Sequence, residues 1–238
     1  MGTAPVGGTD GFPSRGEVAE RLDALEDRLD VLSGGRTALL PVTKAFSAEA
    51  VRAVLATGRT EVGENYAQEL IAKDTELAVD GAGGLSVDGS NGPIRWHMIG
   101  RVQRNKVRRL AGTVSLWQTV DRVDLVDELV RRAPGARILV QVNPAGTPDK
   151  GGCPPVDVDG LVSRAADGGL EVVGLMTVGV IGDSEATTAA FRTVARLADT
   201  LGLAERSMGM SDDLESAVEH GSTMVRIGRA LFGDRPRR

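Results

Sequence analysis

Cysteine is all but missing from this sequence. Cys153 is the only one in 238 residues, so an internal disulfide framework and a cysteine metal cluster are both excluded. It sits in a Gly/Pro-rich stretch, KGGCPP, with no base nearby in sequence, which reads as an incidental loop thiol. Aromatic residues make up only 3% of the chain, so the core must be built from Val, Leu, Ile, Ala and Met. No apolar run approaches the ~20 residues of a membrane span, and the N-terminus lacks the apolar region of a secretory signal. A cytoplasmic protein without membrane contact is expected. The net charge of −5 gives no basic footprint for nucleic acid. No GxGxxG follows the first apolar run, which counts against a dinucleotide fold.

What is present is a repeated alternation of short apolar strands and amphipathic helices. Residues 1–16 are Gly/Pro/Thr-rich with little to bury, and are expected to form a disordered tail. Val18, Leu22, Leu25, Leu29 and Leu32 recur at helical spacing and predict a first helix over Glu17–Leu32. Strands are then predicted at 37–43, 60–65, 94–100, 115–120, 137–143 and 170–178, with two more ending in SMGMS and STMVRIG. Helices follow each, with Ser47, Asp121 and Ser211 as expected N-caps. Residues 79–93 are Gly-rich and polar, and read as a flexible insertion. Eight strand–helix units of this kind imply a parallel sheet covered by helices. The count favours closure: an α/β fold with a single (β/α)8 TIM barrel over 17–238 and an extra helix in front.

The last forty residues organise the chain. SMGMSDDLESAVEHGSTMVRIGRALFG places two Gly-containing strand-to-helix turns side by side. Their backbone N–H groups and small side chains suit a phosphate, and in such barrels phosphates gather on the loops after the last two strands. The alternative is that the glycines only shape turns. Lys44 ends the first strand, and an amine held away from water there is favoured in its neutral, nucleophilic form. A solvated strand-end lysine is the plainer reading. If the phosphate site is real, the natural partner of Lys44 is a phosphorylated aldehyde, pyridoxal 5′-phosphate, held as a Schiff base. Arg226 could then face the pyridine nitrogen. An arginine there keeps its own proton, so the ring is a weaker electron sink.

Several segments in order resemble the pyridoxal-phosphate-binding YggS/PROSC family, the pyridoxal phosphate homeostasis proteins. They are PVTK ending at Lys44, VGENYAQE at 62–69, WHMIGRVQRNKV at 96–107, the DKGG loop at 149–152, GLMTV at 174–178, and the 207–233 stretch above. The resemblance implies an alanine-racemase-type barrel (fold-type III) lacking the second, β-rich domain of the racemases. It implies that Lys44 bonds to the cofactor, that Gly209, Met210 and Ser211 form the phosphate loop with Gly228 opposite, and that Arg226 meets the ring nitrogen. Asn65 would line the pocket, and no metal is expected. One departure is that Ala45, Phe46 and Ser47 follow the lysine where relatives often have a proline.

The expected function is intracellular homeostasis of pyridoxal 5′-phosphate: buffering the aldehyde and supplying it to apo-enzymes, without turnover, as a monomer. A small amino-acid racemase is the alternative, with Tyr66 or His97 as a second base. A sugar-phosphate aldolase using Lys44 is a third class. Lys150, in the DKGG loop, is a candidate transfer lysine. The basic run Arg101, Arg104, Lys106, Arg108 and Arg109 reads as a solvated helix face.

Overall fold

The computed structural model describes residues 12–79, 94–147 and 150–234. Helix α1 spans Arg15–Ser33. Ser14 caps it: the Ser14 hydroxyl accepts from the Glu17 amide and the Glu17 carboxylate accepts from the Ser14 amide. This reciprocal box starts the helix two residues earlier than the apolar spacing predicts. It also corrects the expected tail at its inner end. Phe12 packs against Phe46 and Phe232, with ring centroids 5.8 and 5.9 Å away. The rest of that tail, residues 1–11, lies outside the described residues, as do 80–93 of the expected insertion. Val79 belongs to a helix instead.

Eight parallel strands alternate with helices: β1 Ala38–Pro41, α2 Ala48–Leu55, β2 Glu61–Glu64, α3 Ala67–Val79, β3 Arg95–Met98, α4 Arg104–Leu110, β4 Val114–Val120 and α5 Val123–Arg132. Then come β5 Arg137–Gln141, a 3-10 turn Pro155–Asp157, α6 Val158–Asp167, β6 Glu171–Met176, α7 Ser184–Thr200, β7 Glu205–Ser207, α8 Leu214–Glu219, β8 Met224–Ile227 and α9 Arg229–Phe232. The sheet runs β1-β8-β7-β6-β5-β4-β3-β2. A parallel bridge between Val42 and Gly63 brings the two ends together just past β1 and β2. The barrel is therefore closed at the C-terminal strand ends, where Lys44 and Asn65 emerge.

Most strands are shorter than the apolar runs that predict them, because the last residues of each run turn into the C-terminal loops. Two caps also differ. Arg122, not Asp121, precedes α5; the Asp121 carboxylate pairs with Arg122 and accepts the Gly152 amide at 3.1 Å. Asp213, not Ser211, holds the cap position of α8, and Ser211 lies in the turn before it.

The core has two layers. A large aliphatic layer, with Trp96, Trp117, Phe191 and Phe232, packs helices onto the outside of the sheet. A smaller set inside the barrel comprises Leu40, Val42, Ile99, Leu116, Leu139, Met176 and Met224. Each fully buried Leu, Val, Ile, Phe or Met side chain contributes about 1.5–3 kcal/mol. These layers supply the rigid frame from which the loops project.

Candidate functional site

At the C-terminal strand ends lies a cavity of about 640 Å³ lined by Lys44, Asn65, Met210, Ser211, Arg226 and Gly228. These are six of the seven residues expected from sequence. The seventh, Gly209, underlies the cavity: its carbonyl accepts the Arg226 amide at 3.0 Å. Val42, Phe46, Ile99, Met176 and Val178 supply apolar walls, and Asp212, Arg229, Gly233 and Asp234 complete the rim.

The Lys44 turn is fixed from behind. Val42 donates to Ile227 at 2.8 Å and Thr43 to Gly63 at 3.0 Å, so the chain stays pinned to both neighbouring strands until Lys44. Ala45 then adopts φ +67° and donates its amide to the Glu69 carboxylate at 2.9 Å. Glu64, fully buried, accepts from Lys73 Nζ at 2.5 Å, Thr43 Oγ1 at 3.2 Å and the Asn65 amide at 2.7 Å. Lys73 Nζ also donates to the Thr43 carbonyl at 2.8 Å. Asn65 is held close over Gly100; a Cβ there would lie 1.9 Å from the Asn65 carbonyl oxygen.

On the opposite rim, Gly209 has φ +101°, and a Cβ would come within 2.4 Å of Ala217. Only glycine fits this turn. The Met210 amide, expected to face a phosphate, donates instead to Asp213 Oδ1 at 2.5 Å. Burial raises the Asp213 carboxyl above its ordinary range, against that hydrogen bond and the Arg226 charge. Ser211 and Gly228 stay on the cavity, and a Cβ on Gly228 would press to 3.2 Å from the Val42 carbonyl.

Arg226 is 4% exposed. Its Nη1 donates to Ser207 Oγ and its Nη2 to the Thr177 carbonyl, each at 2.7 Å. Burial pushes the guanidinium down to about 10, partly offset by Asp213, so it stays charged at neutral pH. The donor set suits a phosphorylated aromatic aldehyde. Lys44 offers an amine, Ser211 a hydroxyl, and Arg226 and Arg229 two cations, around walls that can cover a flat ring.

Other candidates fall elsewhere. Tyr66 is 45% exposed and does not line this cavity. His97 is 2% exposed and bonds Gln118 at 2.9 Å inside the barrel, as a core histidine would. Lys150 donates to the Gly179 carbonyl at 2.7 Å and lines a neighbouring cavity with Arg101 and Asp121. Burial pushes the Cys153 thiol up to about 11, which leaves it inert. Arg101, Arg104, Arg108 and Arg109 are exposed, and Lys106 half-buried, as a solvated face requires. His220 Nδ1 meets the Ser216 carbonyl at the end of α8.

Sequence reasoning missed the Lys73–Glu64 pair. Lys73 sits mid-helix and reads as one more solvated lysine. It missed the apolar walls from β3 and β6 too, which look like any core strand. Among the described residues, no group of three or more histidine, cysteine or acidic side chains could hold a metal. No helix of the described residues is long and apolar enough to cross a membrane.

The model of the alanine racemase N-terminal domain family matches residues 21–236. A pyridoxal phosphate homeostasis protein of Pseudomonas aeruginosa is 38% identical over 83% of this chain and 84% of its own. One from Mycobacterium tuberculosis is 36% identical over 94% and 95%. Among solved structures, PipY of Synechococcus elongatus with pyridoxal phosphate bound superposes with a TM-score of 0.75 at 30% identity, over 91% of this chain and all of that one. Alanine racemase of Corynebacterium glutamicum shares the fold, with a TM-score of 0.64 at 19% identity, but this chain covers only 60% of it.

Proposed function

This chain belongs to the family of pyridoxal phosphate homeostasis proteins, and from that premise we propose that it binds pyridoxal 5′-phosphate through Lys44 and serves as its carrier. The observation that carries this is the convergence of Lys44, Asn65, Ser211, Arg226 and Gly228 on one cavity with apolar walls. When bound, the cofactor supplies an electrophilic carbonyl and a phosphate. Lys44 offers the amine that takes the carbonyl, Ser211 and the Gly228 turn take the phosphate, and Arg226 faces the ring nitrogen. Val42, Ile99 and Met176 keep water from the ring.

The carrier role, without turnover, is supported by the similarity to pyridoxal phosphate homeostasis proteins and by where the candidate bases lie. Tyr66 is turned to solvent, and His97 opens to the far mouth of the barrel. Buffering in the cytoplasm by a monomer, and delivery to apo-enzymes that require the cofactor, complete the proposal. The test is the visible spectrum of the purified protein after addition of pyridoxal 5′-phosphate, with Lys44→Ala beside it. A band present in the wild type and lost in the variant supports the reading. A wild type that stays colourless overturns it. Measurable racemisation of an L-amino acid by the loaded protein would overturn the carrier role and return the racemase.

A further inference from the structure

A polar chain runs through the barrel interior from Arg226 to the opposite mouth. Arg226 Nη1 donates to Ser207 Oγ at 2.7 Å, and Ser207 Oγ donates to Gln118 Oε1 at 2.7 Å. Gln118 Nε2 meets His97 Nδ1 at 2.9 Å and Met224 Sδ at 3.2 Å. His97 borders a cavity of about 740 Å³ at the N-terminal strand ends, with Glu61 Oε2 3.9 Å from its Nε2. The four polar residues come from β8, β7, β4 and β3, and each is at most 4% exposed.

The direction of the chain follows from what each group can do. A guanidinium only donates, so Ser207 must accept from Arg226. The single hydroxyl proton of Ser207 then goes to Gln118, which requires the amide oxygen on that side. The amide N–H groups are left for His97 and Met224. His97 Nδ1 must therefore be an acceptor, and the ring carries its proton on Nε2. Turning the Gln118 amide round would let Ser207 accept twice, but it would take away the Gln118 acceptor of the buried Ser207 proton and set the amide oxygen against the Met224 sulfur. Aliphatic side chains like those around them would fill the same space at lower desolvation cost.

We propose that Gln118 and His97 are positioning residues for Arg226. They fix the rotor of the Ser207 hydroxyl, and Ser207 together with the Thr177 carbonyl sets the plane of the guanidinium towards the cofactor ring. This rests on the cofactor reading above, yet the chain can be tested without cofactor.

In the cofactor-free wild type, two-bond proton–nitrogen NMR correlations should show His97 as a single Nε2–H tautomer. The Arg226 Nη protons should be resolved, reporting slow rotation of the guanidinium. Gln118→Leu should give mixed His97 tautomers and averaged Arg226 Nη signals, with the fold retained. On titration with pyridoxal 5′-phosphate, the same variant should bind at least tenfold more weakly and show a shifted visible band. Gln118→Glu, whose charge state differs but which still accepts from Ser207, should recover the Arg226 signals. A wild-type His97 protonated at Nδ1 overturns the proposal, as does a folded Gln118→Leu with unchanged Arg226 signals and affinity. If the wild type binds no pyridoxal 5′-phosphate, the functional reading fails, and the cofactor-free spectra alone decide the chain.

Discussion

Lys73 Nζ lies 2.5 Å from Glu64 Oε2, and both side chains are buried beneath the turn that carries Lys44. The pair does more than neutralise charge. Through Thr43 on one side and the Asn65 amide on the other, it joins the ends of β1 and β2 where the barrel closes. Of the cavity-lining residues Lys44 and Asn65, the first therefore directly follows one anchor, Thr43, and the second is itself the other.

Removing one partner should leave a buried charge uncompensated. Lys73→Met is expected to cost about 3–5 kcal/mol, as is typical for breaking buried pairs. Lys73→Met combined with Glu64→Gln should cost clearly less than the two single changes added. Urea unfolding of the three variants and the wild type gives the coupling. Additive costs would show that the pair does not act as a unit.

Gly209 is argued from two independent constraints, its φ of +101° and the 2.4 Å approach of a Cβ to Ala217. Gly209→Ala should destabilise by about 2–6 kcal/mol, since backbone strain and overpacking each cost about 1–3. It should also weaken pyridoxal 5′-phosphate binding, because the same turn places Ser211. Adding Ala217→Gly should recover the steric part and leave the backbone part. Thermal unfolding and a cofactor titration separate the two.

His97 makes stability depend on pH. Burial, then the charges of Arg95 and Arg137, hold its imidazole down to about 4 from an ordinary 6.5. Glu61 faces it at 3.9 Å. The unfolded chain thus binds this proton more readily than the folded one. The contribution is complete above about pH 6.5 and is lost as pH falls towards 4, amounting to about 2 kcal/mol by pH 5. Between pH 7.5 and 5 the wild type should lose about that much more stability than His97→Gln. Equal slopes for the two in denaturant titrations would contradict it.

The strand–helix rhythm made the barrel legible because each strand is a short apolar run and each helix has one apolar face. The site was legible because its polar residues stand at the ends of such runs, as Lys44, Asn65 and Arg226 do. Partnerships across the barrel were not. Nothing local to Gln118 in SLWQTV says that it meets Ser207, 89 residues later. Lys73 is another case, since its carboxylate partner is set by helix α3 leaning back on β2. Ser211 looked like a cap from sequence because serine before two acidic residues is a strong helix start. Asp213 holds that place without a side-chain cap bond, its carboxylate turned back to the Met210 amide instead.

Ala45 sits in the left-handed region at φ +67° directly after Lys44, with its amide bound to Glu69. A proline at this position would need φ near −65° and would remove the donor, so Ala45→Pro should destabilise by about 3 kcal/mol or more. Ala45→Gly relieves about 1–2 kcal/mol of left-handed strain and adds about 0.5–1 of chain entropy cost. The net should be neutral to about 1.5 kcal/mol stabilising. Because the turn aims Lys44, the glycine variant should keep the visible band and the proline variant should lose it. Unfolding midpoints and spectra of both variants check this. A stable proline variant with an intact band would mean that the Lys44 turn can close in another conformation.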